Sequence, residues 1–326
     1  MIISKSPLRM SYVGGGSDIP AFYMEHGGAV ISAAINAYVY VVIKERFEKG
    51  IRLSYSKTEN VSHFSELEHP LVKNAFNIVN VKENIEIVSI ADIPSSGTGL
   101  GSSSSFSVGL LNAMSAYQGE LLSKQSLAQK ACHLEIDLCK SPIGKQDQYA
   151  SAYGDLRVYE FNSDGSVSVE DVNVNRSLKQ NLNKETICFY IGGERSANKI
   201  LAEQSNQFRL NNNTEVMKKM VSLVGDLKQE FESNDISNFG DILHSNWVLK
   251  KQLTEGIANQ RIDDIYETAR SKGSTGGKLL GAGGGGFMIF HAPTKTIRNK
   301  IRKSLSQLRE VDLNIEEEGS RIIKIT

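Results

Sequence analysis

Residues 93–114, IPSSGTGLGSSSSFSVGLLNAM, constrain this chain most: a glycine-rich loop follows an apolar strand-like stretch and runs without a break into an amphipathic helix. Gly97, Gly99 and Gly101 let the backbone turn tightly and leave room for a ligand against it. The free amides at the start of the helix face the loop, and the partial positive charge there favours phosphate. The hydroxyls of Ser102, Ser103 and Ser104 can bond phosphate oxygens or ligate magnesium, a hard ion that takes oxygen donors. No Gly-Lys-Ser/Thr follows, so this is not the Walker pattern. A serine-capped helix after a flexible loop reads the same residues without any ligand.

Around this segment the chain alternates strands and helices. Residues 37–44, 51–55, 85–91, 155–161 and 166–174 have the β-branched and aromatic character of strands. Residues 102–117 and 123–139 carry helical spacing, with Leu127, Ala131, Leu134 and Leu138 on one face of the second. The polar stretch 175–185 is the expected boundary, so the chain divides into domains 1–184 and 185–326. Strand 186–192, several helices between about 196 and 271, a glycine-rich loop, strand 287–291 and two short strands at 311–317 and 320–325 predict an α+β second domain. At 326 residues the chain is long enough for two cores.

Lys+Arg and Asp+Glu both number 37, so there is no global field to hold nucleic acid or an anionic membrane; any anion must be gripped locally. The partners expected are small molecules, with the chain a monomer or homodimer. The 3 cysteines, without CxxC spacing, argue against a disulfide framework or a zinc site. With no secretory pattern at the N-terminus and no apolar run of spanning length, a cytoplasmic location is expected.

Two further glycine runs stand out. In residues 7–20, PLRMSYVGGGSDIP, Gly14 to Gly16 bring the backbone close to something, Asp18 follows, and Arg9 lies nine positions before it. An aspartate beside a glycine turn accepts sugar hydroxyls, and it equally forms turns. In residues 276–290, Gly281 and Gly283 to Gly286 run straight into an apolar strand. Close approach to a ligand or to the other domain would explain so costly a stretch.

Residues 133–155, HLEIDLCKSPIGKQDQYASAYGD, supply the carboxylates. Phosphoryl transfer needs a metal-bound triphosphate, positive groups around the γ-phosphate, and a residue that orients or deprotonates the attacking hydroxyl. Glu135 can hold magnesium, Asp147 can take the proton and Lys145 can stabilise the transferring charge. Asp137 reads as a solvated helix residue. Asp147 stays open between a base and a turn former.

The three glycine segments, in this order, resemble the motifs of the GHMP kinase superfamily over nearly the whole chain. The resemblance implies an α+β, two-domain architecture: a ribosomal-protein-like βα N-terminal domain and a ferredoxin-like C-terminal domain, with the active site between them. It implies ATP and Mg2+ as cofactors, with Ser96, Gly97, Thr98, Gly99, Leu100, Gly101, Ser102, Ser103 and Ser104 as the phosphate loop. Ser103 and Glu135 match the metal ligands, and Asp147 the catalytic aspartate before Tyr153-Gly154. Arg9 and Asp18 match sugar-contacting positions. Gly15, Gly16, Ser17, Gly283 and Gly284 are expected against the substrate. Gly15-Gly16 stand where galactokinases carry Glu-His, which opens space for a larger or differently shaped sugar. RMSYVGGGSDIPAFY, GKQDQYASAYGD and YIGGERSANKIL are similar to one branch, the bacterial heptose 7-phosphate kinases. That likeness implies transfer to an anomeric hydroxyl. The substrate's own phosphate would need a cationic pocket, for which Arg195, with Ser196 and Lys199 at a helix start, is the candidate; Arg195 can also be a surface residue.

Overall fold

The computed structural model describes residues 1–81, 84–94, 98–193, 197–210 and 212–325. The strands are β1 (Ile2–Val13), β2 (Gly28–Glu45), β3 (Ile51–Ser54), β4 (Thr58–Val61), β5 (Ile85–Ala91), β6 (Leu156–Phe161), β7 (Val167–Asp171), β8 (Thr186–Gly192), β9 (Gly276–Leu279), β10 (Gly286–His291), β11 (Arg309–Val311) and β12 (Arg321–Ile325). The α-helices are α1 (Pro20–His26), α2 (Pro70–Ile78), α3 (Ser102–Tyr117), α4 (Lys124–Cys132), α5 (Gln146–Tyr153), α6 (Arg176–Glu185), α7 (Ala197–Arg209), α8 (Thr214–Glu232), α9 (Phe239–Lys250), α10 (Gln260–Ser271) and α11 (Lys295–Ser304).

β2 organises the first sheet. Its 18 residues, rich in Val, Ile and Ala, pair antiparallel with β1 along almost their whole length. Its first half pairs on the other side with β6, and its second half with β5, giving the order β12-β1-β2-β5-β3-β4 with β6 and β7 branching off β2. The second sheet runs β11-β8-β10-β9. Numbered within their own domain these strands lie in the order 4-1-3-2, the antiparallel ferredoxin-like arrangement.

Residues 175–185, the expected boundary, form α6, capped by Asn175 Oδ1, which accepts from the Leu178 amide at 2.8 Å, and β8 of the second sheet begins at Thr186. Leu178 and Leu182, one helical turn apart, are buried in the first core. The last strand does not complete the second domain. β12 crosses back and pairs with β1, matching Ile2 to Ile325 and Lys5 to Arg321, so the chain end lies in the first sheet. The strand expected over 311–317 is not found there: β11 ends at Val311, and within 312–317 there is a single bridge from Ile315 to Ile35.

The two cores interlock. Val224, Leu227 and Phe231 of α8 sit in the first core, while Ile19 and Phe22 beside α1 sit in the second, where the Phe22 and Phe208 rings lie 5.3 Å apart. The cleft between the domains is therefore walled by packed elements on both sides.

Candidate active site

The phosphate side is built by α3 and the loop before it. Gly101 precedes the helix with φ of +77° in the left-handed region, which turns the chain into the helix. A β-carbon there would lie 3.1 Å from Asp147 Oδ2 and 3.3 Å from Arg9 Cγ, so a side chain would crowd the site itself. Thr98, Gly99, Gly101, Ser102, Ser103 and Ser104 line one pocket with Glu135, Asp147 and the last glycine run. Leu100 is buried behind the loop and does not line it; its carbonyl accepts from the Arg9 amide at 3.0 Å. Ser96 and Gly97 lie outside the described residues. The loop is braced from the second domain: a β-carbon on Gly281 would stand 2.2 Å from Gly99 Cα, so the first and third glycine segments cross backbone to backbone.

Glu135 reaches this pocket from a π-helical turn, His133–Leu138, that continues α4. The Cys139 amide bonds the Leu134 carbonyl at 3.0 Å, one residue wider than an α-helical turn. Glu135 is buried; Ser103 Oγ donates to Oε1 at 3.1 Å and Gln148 Nε2 to Oε2 at 2.6 Å. Burial pushes its carboxyl up to about 7, with the neighbouring charge of Asp147 adding to this and hydrogen bonds from Ser104, Gln148 and Ser103 opposing it. Among the described residues its partners are hydroxyls and an amide, with no cation in ion-pair range. A buried carboxylate without a countercharge, beside a serine hydroxyl and opening onto a phosphate pocket, fits a hard divalent cation whose remaining ligands are water and phosphate oxygens. Asp137 is exposed and paired with His133 at 2.9 Å, as its helical position implied.

Arg9 and Asp147 form the centre. Arg9, mid-strand on β1, donates Nε to Asp147 Oδ1 and Nη2 to Oδ2, both at 2.7 Å, and Nη1 to the Gly99 carbonyl at 2.6 Å. This forked grip fixes the carboxylate in the first turn of α5. Arg9 and Asp147 line both the phosphate pocket and a second pocket beyond it, as do Ile143, Leu201, Gly281 and Ala282.

The second pocket is the candidate acceptor side. Gly15, Gly16 and Asp18 line it, joined by Ser11, Gln146, Gln204 and Lys250. Asp18 is buried, accepting from the amides of Gly16 and Gln146 at 3.1 Å each. Burial, then the charge of Asp147, raises its carboxyl above the usual carboxylate range. Gly16, with φ of +105°, has Met217 Cε 3.0 Å from where a β-carbon would sit.

Several expected residues sit elsewhere. Lys145 turns away: its ammonium bonds the Gly165 carbonyl in the β6–β7 turn and lies 5.0 Å from the Tyr23 ring. Residues two apart at a helix start face different directions, so Asp147 facing the site sends Lys145 out of it. Ser17 is also withdrawn, its hydroxyl bridging the amide and carbonyl of Ala29. Gly283 lines the phosphate pocket rather than the acceptor pocket, and Gly284 lines neither, its amide bonding the Ile257 carbonyl at 2.9 Å. Arg195 and Ser196 lie outside the described residues.

Sequence reasoning missed two parts. Lys250 ends α9 and is buried at the acceptor pocket with its Nζ on the Gly281 carbonyl. Its only sequence signal was a lysine on the helical face that carries Leu243 and Trp247. The other is a cavity of about 690 Å³ beyond Ser102 and Ser103, lined by Tyr55, His69, Phe106 and Asp92 among others. These come from four separate segments, so no single motif announces them.

A helix start suited to phosphate, a carboxylate suited to a metal and an arginine-held aspartate facing a second pocket are the parts that a phosphoryl-transfer enzyme needs. The family model described as GHMP kinases N terminal domain matches residues 70–155, and that described as GHMP kinases C terminal matches residues 227–308. The chain belongs to the GHMP kinase family and is an ATP-dependent kinase. It is 26% identical over 340 positions to a D-glycero-alpha-D-manno-heptose 7-phosphate kinase of Campylobacter jejuni, covering 99% of both chains. It is 24% identical to a bifunctional fucokinase/GDP-fucose pyrophosphorylase of Arabidopsis thaliana, covering 95% of this chain and 31% of that one. In fold, it matches a D-glycero-D-manno-heptose 1-phosphate kinase from Bacteroides thetaiotaomicron over 100% of both chains, with a TM-score of 0.82 at 23% identity.

Proposed function

We propose that the enzyme phosphorylates the anomeric hydroxyl of D-glycero-D-manno-heptose 7-phosphate. The product is the 1,7-bisphosphate, an intermediate for nucleotide-activated heptose and surface polysaccharide, and the work is done in the cytoplasm. The observation that carries the reading is the Arg9–Asp147 pair standing between two pockets, one made for phosphate and one free of side chains at Gly15-Gly16. The Campylobacter relative, aligned end to end, supports the heptose.

In this reading the nucleoside rests in the cavity lined by Tyr55, His69 and Phe106, and the triphosphate lies along Thr98 to Ser104 with Ser96 and Gly97. Ser103 and Glu135 hold Mg2+, which when bound neutralises phosphate charge. Asp18 accepts sugar hydroxyls, and the backbone of Gly15 and Gly16 borders the ring. Asp147 takes the proton of the attacking hydroxyl, and Arg9 keeps both its oxygens in place. Arg195 is the candidate for the substrate's own phosphate.

The test is an acceptor screen with ATP consumption as readout. Heptose 7-phosphate is expected to be turned over well ahead of free heptose and fucose. A free sugar that proves the better substrate overturns the heptose assignment and favours the fucose reading.

A further inference from the structure

With Lys145 turned to Gly165, the positive charge that phosphoryl transfer needs must come from elsewhere. Among the described residues the cations that line the two pockets are Arg9 and Lys250. Arg9 already uses Nε, Nη1 and Nη2 on Asp147 and Gly99. Lys250 is placed differently. It lines the acceptor pocket, and its Nζ rests on the carbonyl of Gly281, a residue that lines both pockets. An ammonium carries three donors, and among the described residues this carbonyl is the one acceptor it has. A buried amine with donors to spare is costly unless a ligand completes its hydrogen bonds.

We infer that Lys250 is a further catalytic residue, whose ammonium meets the phosphoryl group in passage at the junction of the two pockets. The acceptor oxygen forms a new bond to the γ-phosphorus. The bond from that phosphorus to the β–γ bridging oxygen breaks, its electron pair stays on ADP, and the hydroxyl proton passes to Asp147. Lys250 donates hydrogen bonds to the phosphoryl oxygens and keeps its own proton throughout. The charged and titratable groups facing it are Arg9 from β1, Asp18 from the loop after β1, Asp147 from α5 and Lys278 from β9. Lys278 cannot take the same part, because it lines neither pocket and its Nζ sits on the Tyr12 carbonyl of β1 at 2.8 Å. Burial, then Arg9, lowers the Lys250 amine to about 8, with Asp18 opposing, so the protonated form persists at neutral pH without being locked in.

The inference rests on the sugar kinase activity and not on the heptose. Its test uses whichever sugar the acceptor screen finds best, so the two can fail separately. In Lys250→Ala, kcat is expected to fall at least ~100-fold, the scale of losing one preorganised donor to a transition state, with affinity for the Mg-nucleotide changed less than about threefold. Added methylammonium is expected to restore turnover in proportion to its protonated concentration, a response that a merely structural tie to Gly281 would not give. Turnover that stays within about threefold of wild type, or a loss that no amine rescues, overturns the inference. Should the alanine variant fail to fold, Lys250→Arg decides. Wild-type kcat is expected to decline above pH of about 8, and this decline to vanish in the arginine variant, whose guanidinium does not titrate. A decline that persists in Lys250→Arg rules Lys250 out.

Discussion

On the phosphate side, one contiguous stretch, residues 98–104, forms one wall, and the rest comes from β1, the π-helical turn with Glu135, α5, α7 and the glycine run that ends at β10. On the acceptor side the lining comes from β1, the glycine turn after it, α5, α7, α9 and the third glycine run, spread from residue 9 to residue 282. Both sides exist only because the two domains pack, but each has walls of its own: Ser102 to Ser104 and Glu135 line only the phosphate side, and Gly15, Gly16, Asp18 and Lys250 only the acceptor side. Specificity for the sugar is therefore expected to be separable from handling of the triphosphate.

The largest effect that would break this separation is at Asp147, which belongs to both sides. Asp147→Asn is expected to lower turnover by about 10³-fold, within the range for loss of a general base, while calorimetry shows nucleotide binding retained. Undiminished turnover would take Asp147 out of the mechanism. Next comes Glu135→Gln, on the phosphate side alone. The magnesium concentration giving half-maximal rate is expected to rise at least ~10-fold, with KM for the sugar little changed. A shift confined to the sugar KM would place Glu135 on the wrong side. The converse variant is Gly16→Ala. Its φ of +105° and the Met217 Cε 3.0 Å from a new β-carbon predict backbone strain of ~1 kcal/mol or more. The sugar KM is expected to rise several-fold, with Mg-nucleotide affinity unmoved, as read by initial rates and calorimetry. The smallest effect is at Asn175→Ala, far from both pockets. Loss of the α6 cap is expected to cost ~1 kcal/mol and lower the melting temperature by about 2 °C with kcat unchanged.

The same contrast explains what could be read before the fold was known. The helix expected over 102–117 is α3, with those limits, because a loop, a serine run and an apolar periodicity agree over one short window. The ferredoxin-like order of the second sheet also follows from the family resemblance. The helix at the expected boundary, residues 175–185, went unread because polar residues there outnumber the two leucines, yet Leu178 and Leu182 are spaced for one helical face and Asn175 supplies the cap. The return of β12 to β1 was hidden because strand pairing across the whole chain leaves no local mark. Lys145 and Lys250 show the same limit at the site. The lysine two residues before Asp147 points out, and one more than a hundred residues away points in. Side-chain direction at a helix start and the docking of α9 decide this, and neither is a property of a motif.

A crystal structure with magnesium, a non-hydrolysable ATP analogue and the preferred sugar tests the central claim most directly. The account predicts the phosphates against the amides and hydroxyls of Ser102 to Ser104, the metal on Ser103 and Glu135, and the acceptor oxygen within about 3.2 Å of Asp147. A triphosphate seated away from the start of α3, or a sugar hydroxyl aimed away from Asp147, would contradict it.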